Sequence, residues 1–140
     1  MQKEELEQLK DLRAEIRELQ KKIVYLQQKK IGDASDKVQA SRADFPYTQG
    51  SAMISGFNEQ AYQRQQEQIN NNMLLLVQRQ RAAEKLERRI TEYINTVTDS
   101  RLRRIMQYRY VEGYTWENIG KVMHCDRTTA EKMVTRYLRQ

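Results

Sequence analysis

Residues 100–140 read SRLRRIMQYRYVEGYTWENIGKVMHCDRTTAEKMVTRYLRQ, and the fold is decided there. The pattern predicts three short helices with two tight breaks. The first helix covers about residues 101–111 and stops at Glu112-Gly113, because a glycine just past a helix end takes the left-handed conformation that other residues resist. Thr115 then caps a second helix, residues 116–123, by offering its oxygen to free backbone N–H groups. His124-Cys125 form a turn. Asp126 caps a third helix, residues 127–139, and its carboxylate suits the positive helix end.

Two short helices joined by a turn, the second one basic, describe a helix-turn-helix. The apolar positions Ile105, Tyr108, Trp116, Ile119, Val122, Met123, Ala130, Met133 and Tyr137 are expected to form its small core. Ala130 is small where the two helices must approach. The residues left facing outward on the third helix are Arg127, Thr128, Thr129, Glu131, Lys132, Thr135, Arg136 and Arg139. Those side chains have the hydrogen-bonding chemistry that base edges and phosphates require.

The run from Arg109-Tyr110 through Glu112-Gly113, Thr115-Trp116, Glu117 and Ile119-Gly120-Lys121 to Asp126-Arg127 resembles the fourth region of bacterial sigma factors. The family pattern has leucine where this chain has Trp116. The resemblance implies a helix-turn-helix that reads promoter DNA in the major groove. The whole chain also resembles small phage-encoded late-gene regulators of the ArpU and RinA type, with a helical front half and a sigma-like C-terminus. Ser41-Arg42, Phe45-Pro46-Tyr47-Thr48 and Asp99-Ser100-Arg101 add to that likeness.

Composition agrees with an elongated helical protein. Of 140 residues 31% are charged, and a mean hydropathy of −0.93 leaves little apolar material for a large core. Five glycines and one proline favour long helices. The net charge is +6, and its distribution says more than its sum. Residues 1–30 carry a net +2 and residues 31–99 a net −1, whereas residues 100–140, with nine basic and four acidic side chains, carry +5. The excess sits where a nucleic-acid footprint requires it. No apolar run approaches the roughly twenty residues that span a membrane. There is no signal-peptide pattern, and one cysteine cannot form an internal disulfide, so a reducing cytoplasm is expected, which the resemblance to phage regulators implies is that of a bacterial host.

Outward from the C-terminus, residues 1–30 read as a helix with a heptad seam: Leu9, Ile16 and Ile23 at position a, Leu12, Leu19 and Leu26 at position d. Isoleucine at a with leucine at d favours parallel two-stranded coiled coils. Residues 31–56 hold four glycines or prolines and several Ser and Asp, and read as a loop. Within it, Phe45-Pro46-Tyr47 is expected to plug the end of a helical hairpin or to serve as a docking segment for another protein, with a flexible linker as the third reading. Residues 57–98 read as a second long helix. Tyr62, Ile69, Met73, Leu76, Ala83, Leu86, Ile90, Tyr93 or Ile94, and Val97 form its seam, at alternating three- and four-residue spacing. The expected fold is therefore all-α: a coiled-coil hairpin over residues 1–98 followed by a helix-turn-helix over residues 99–140. Asp99 is its punctuating N-cap. The hairpin is also expected to dimerise, because each helix carries more apolar surface than one narrow contact uses.

The residues offer no catalytic constellation. His124 and Cys125 are the only residues of their kinds, too few for zinc, and neighbours in one turn do not form a nucleophile–base pair. No glycine loop cradles a phosphate. The chain is expected to be a non-enzyme with no cofactor, no metal and no small-molecule substrate. The expected function is sequence-specific DNA binding by a transcriptional regulator, a phage late-gene activator that also touches RNA polymerase. Thr115 and Lys121 would hold the backbone, while Arg127, Thr128, Thr129, Lys132 and Arg136 contact bases and phosphates. Two alternatives stand beside it. One is a small terminase subunit that recognises packaging DNA, and the other is a helical protein–protein adaptor.

Overall fold

A computed structural model describes residues 1–29 and 47–140, with side chains from residue 59 onward in the second block. Its described residues are all-helical. Helix α1 spans Lys3–Gln28 and α2 spans Tyr47–Asn95. Helix α3 (Ser100–Met106) runs into a π-helical turn, Gln107–Val111. Helices α4 (Trp116–Met123) and α5 (Arg127–Leu138) follow.

The second long helix begins at Tyr47 rather than at the expected residue 57, so Gly50 and Gly56 lie inside it. An interior glycine costs about 1 kcal/mol relative to alanine and weakens a helix without ending it. Phe45 and Pro46, and with them the expected plug, lie outside the described residues.

Two compact units divide the chain differently from the expected 98/99 boundary. Unit 1 joins Met1–Ile16 to Gln78–Gln140, and unit 2 is Arg17–Val77.

In unit 1 the first half of α1 lies antiparallel to the last part of α2. Glu15 pairs with Arg79 at 2.6 Å, Glu87 with Arg13 at 3.2 Å and Glu5 with Arg89 at 3.6 Å, so the partner number falls as the α1 number rises. These pairs are partly solvated and each contributes only about 0–1 kcal/mol. The apolar seam contributes more. Leu6, Leu9, Leu86, Ile90, Ile94 and Val97 are buried, and they join one cluster with Leu102, Ile105, Met106, Tyr110, Val111, Ile119, Met123, Ala130 and Val134. Each fully buried Leu, Ile or Val stabilises by roughly 1.5–3 kcal/mol. The seam predicted at Leu9 is buried, Leu12 and Ile16 are half-buried, and Leu6, one turn earlier, joins them.

In unit 2 the described buried side chains are Ile23, Leu26, Ile69 and Asn72. Leu19 is half-buried. The Gln65 amide donates to the carbonyls of Leu26 and Lys29, tying α2 to the end of α1. Tyr62 and Met73, expected in the seam, are instead exposed. Both lie to one side of the Ile69–Asn72 line on the helix surface.

The C-terminal helices start and stop by local chemistry. Asp99 caps α3, its carboxylate accepting from Arg101 N at 2.9 Å. The expected single helix over residues 101–111 changes pitch at Gln107. Glu112 N donates to Gln107 O across five residues at 3.0 Å. The buried pairs Ile105-Met106 and Tyr110-Val111 stand five apart, so the wider turn keeps both on the core side. Gly113 follows with φ 79, the left-handed conformation expected there.

Candidate nucleic-acid interface

Thr115 has extended backbone angles, and its hydroxyl oxygen accepts from Asn118 N at 3.2 Å, capping α4. Trp116, in the first turn, is half-buried against the core. Its outer face carries the Arg109 guanidinium, 4.7 Å from the ring centroid, and Arg109 also donates to the Tyr114 carbonyl at 3.2 Å. Tyr114 stacks on Tyr108 with centroids 5.1 Å apart. Together these contacts hold the segment leading into α4.

The turn between α4 and α5 depends on one missing side chain. Gly120 packs under Cys125, and a Cβ there would sit 2.7 Å from the Cys125 carbonyl oxygen. His124 takes the left-handed conformation at φ 55, and Cys125 N donates to Gly120 O at 2.9 Å. Asp126 is extended and its carbonyl accepts from Thr129 N at 3.0 Å, but its carboxylate makes no cap bond. The expectation of a side-chain cap at Asp126 is therefore corrected: the backbone carbonyl starts the helix, and the carboxylate acts on the helix end only as a charge.

Helix α5 buries Ala130 and Val134 against the core, with Met133, Tyr137 and Leu138 partly covered. Arg127, Thr128, Thr129, Lys132, Arg136 and Arg139 are exposed. At 100° per residue, Thr128, Lys132, Arg136 and Arg139 lie opposite the buried line and Thr129 flanks them, whereas Arg127, in the first turn, falls at the angle of Val134 and Leu138. Among the described residues, none of the basic members of this face makes an ion pair. Lys121 and Thr115 are exposed on α4. Lys121 and Arg127 share a shallow concavity at the turn with Glu117, His124 and Asp126. Thr135 is otherwise engaged, its hydroxyl donating to the Glu131 carbonyl at 2.9 Å.

The structure thus brings Thr128, Lys132 and Arg136 onto one face, with Thr129 at its edge, and leaves Arg127 off that face at the start of the helix. Arg139 belongs to the face as well, at the seven-residue spacing from Lys132 that a helix repeats. Three other arginines of the region serve the fold. Arg101 donates to Met123 O at 3.4 Å, Arg103 to Val97 O at 3.1 Å, and Arg109 stacks on Trp116. Val122, expected in the core, is 40% exposed. It extends the apolar period of α4, but among the described residues no element covers that side of the eight-residue helix.

Behind α5, burial pushes the Tyr110 phenol up to about 12, with Glu7 adding to the shift, Arg109 opposing it, and Glu131 and Tyr93 adding smaller increments. Its hydroxyl is buried without a hydrogen-bond partner among the described residues. Tyr93 is also raised, by burial and then by Tyr137 beside it.

Among the described residues, no helix is long and apolar enough to cross a membrane, and no group of three or more His, Cys, Asp or Glu could hold a metal ion. No family model, curated protein or solved structure matches the chain.

Proposed function

We propose that residues 99–140 act as a helix-turn-helix that reads double-stranded DNA, and that the chain is a transcriptional regulator. The observation that carries this reading is the outward face of α5. Thr128, Lys132, Arg136 and Arg139 stand together there, exposed and without ion pairs among the described residues, on a helix whose opposite side is buried. Lysine and arginine donate to guanine O6 and N7, and threonine donates, accepts or touches a thymine methyl. Thr115 and Lys121 hold the sugar-phosphate backbone from α4 while α5 enters the major groove. The resemblance to sigma region 4 and to phage late-gene regulators extends the proposal to late-gene activation in a bacterial cytoplasm, with contact to RNA polymerase. No catalytic step is assigned to the chain.

The test is capture of fragmented host and phage DNA on the purified protein, with affinity for the recovered fragments titrated against salt. One short site upstream of a gene block is expected. Arg127→Ala with Lys132→Ala should lose it, each true base contact carrying about 1–3 kcal/mol of discrimination. Lys121→Ala should weaken all sequences about equally and lower the salt slope by about one. Recovery of a packaging-gene site would favour the terminase alternative. Uniform or absent capture, unchanged in these variants, would sink the reading and favour an adaptor, for which the exposed apolar side chains of α2 are the supporting observation.

A further inference from the structure

Helix α5 is not covered evenly along its length. Asp126, Arg127, Thr128 and Thr129, which open it, are exposed one after another. Arg127 falls at the angle of Val134 and Leu138, yet Val134 is buried and Leu138 half-buried while Arg127 is exposed. The first turn therefore projects beyond the body that covers the rest of the helix. Farther along, Thr135, Tyr137 and Leu138 are half-buried, and Tyr137 lies beside Tyr93 of α2. An end that enters a groove must be bare around most of its circumference, and on α5 that is the N-terminal end. A helix-turn-helix docks in this sense, with the N-terminal residues of its second helix at the base edges.

The chemistry changes along the same axis. The projecting turn has no net charge, because Asp126 and Arg127 carry opposite signs, and it continues with Thr128 and Thr129. Threonine donates, accepts or touches a thymine methyl, which suits base edges. The cations of the outward face come later, at Lys132, Arg136 and Arg139, and none is in an ion pair with another described residue. Arg139 caps the helix with αR backbone angles, so it keeps the helical register. By the helical rise, Lys132 stands about 6 Å beyond Thr128, Arg136 about 12 Å and Arg139 about 16 Å. Base pairs are about 3.4 Å apart and the major groove is about 12 Å wide. With Thr128 at the base edges, Lys132 falls inside the groove, about two base pairs on. Arg136 and Arg139 fall at its rim or past it, where the phosphates lie. An ammonium only donates, and guanine presents two adjacent acceptors, O6 and N7.

We propose that α5 is divided into a tip that selects bases and a shank that grips phosphates. Thr128, Thr129 and Lys132 choose the sequence, with Lys132 on a guanine. Arg136 and Arg139 hold flanking phosphates of the duplex whatever its sequence. The division rests on the proposed DNA reading, within which it takes Arg136 away from the bases and makes Lys132 the specificity-determining cation.

The test is selection of duplexes from a randomised pool by the full chain and by its Lys132→Ala, Arg136→Ala and Arg139→Ala variants. The selected duplex and an unrelated one are then titrated against salt. All three positions are exposed, so helical circular dichroism should be unchanged. Arg136→Ala and Arg139→Ala should select the same sequence as the unaltered chain and weaken both duplexes by the same factor. Each should also lower the salt slope by about one. Lys132→Ala should lose the preference for guanine at one position, a discrimination of about 5- to 150-fold. A changed sequence in Arg136→Ala or Arg139→Ala would overturn the division, and so would a Lys132→Ala variant that still demands the guanine. Both of those results require selected DNA and leave the DNA reading standing, whereas an unaltered chain that selects no sequence overturns the two together.

Discussion

Units 1 and 2 share two helices and one heptad pattern, yet they are held together differently. Unit 1 gathers sixteen buried side chains into one cluster, drawn from the first half of α1, the end of α2 and all the C-terminal helices. Unit 2 buries Ile23, Leu26, Ile69 and Asn72 among its described residues and exposes Met73, Leu74 and Val77. The lesson is that a seam of constant period does not guarantee constant stability. What matters is whether other elements close over it, as α3, α4 and α5 do in unit 1. Unit 1 holds the proposed DNA-reading helix against that cluster through Ala130 and Val134.

The largest test of that contrast is a pair of matched truncations. Ile90→Ala, at a fully buried site of unit 1, should cost about 2–5 kcal/mol, whereas Ile69→Ala, at a 6% exposed site of unit 2, should cost less, because a site that reaches solvent leaves a smaller closed cavity. Denaturant unfolding measures both, and equal losses would break the comparison. A smaller effect sharpens it within unit 1. Gly120→Ala forces a Cβ against the Cys125 carbonyl and should cost about 1–3 kcal/mol by thermal melting. It should also weaken the proposed DNA binding by tilting α5. A neutral Gly120→Ala would mean that the turn is looser than its geometry requires.

The smallest effect has the opposite sign. Tyr110→Phe removes a buried hydroxyl that has no partner among the described residues, and should stabilise by up to about 1 kcal/mol at neutral pH. It also changes the response to alkali. The folded-state value is raised from 10.0 to about 12, so between those limits the unfolded chain has lost the phenolic proton while the folded one keeps it. Unfolding is then the proton-releasing step, and this contribution is fully present below pH 10 and falls away as pH rises to 12. Melting temperatures of the Phe variant should drop less across that window than those of the unaltered chain.

Much of the architecture was legible in the sequence because it rests on local rules. The heptad residues Leu9, Ile23, Leu26, Leu86 and Ile90 are buried as their spacing predicts. Gly113, Thr115 and Asp99 perform the turn and cap roles that their chemistry suits. The failures share a cause, which is dependence on tertiary closure. Val122 keeps the right period on a helix side that nothing covers. Tyr110 and Val111 are buried because a π-turn shifts the helical phase, and five-residue spacing is not what an amphipathic helix advertises. The division at residues 16/17 and 77/78 is invisible because the heptad runs through it unchanged. For the candidate site, the outward residues of α5 followed from the position of Ala130, the small residue facing the core. Which arginines are spent on the fold was not legible, because Arg101, Arg103 and Arg109 find backbone carbonyls or an indole ring only once the chain has turned.

The guanidinium of Arg13 bears on a further question. It donates to the Val111 carbonyl at the end of the π-turn and pairs with Glu87 at 3.2 Å. With Leu6 and Leu9, it makes the N-terminus of the chain a structural part of the region that ends it. A fragment cut at residue 99 would leave behind part of its own interior. The C-terminal helices are therefore a poor cassette for transplantation, and a fusion or a shortened version should retain residues 1–16.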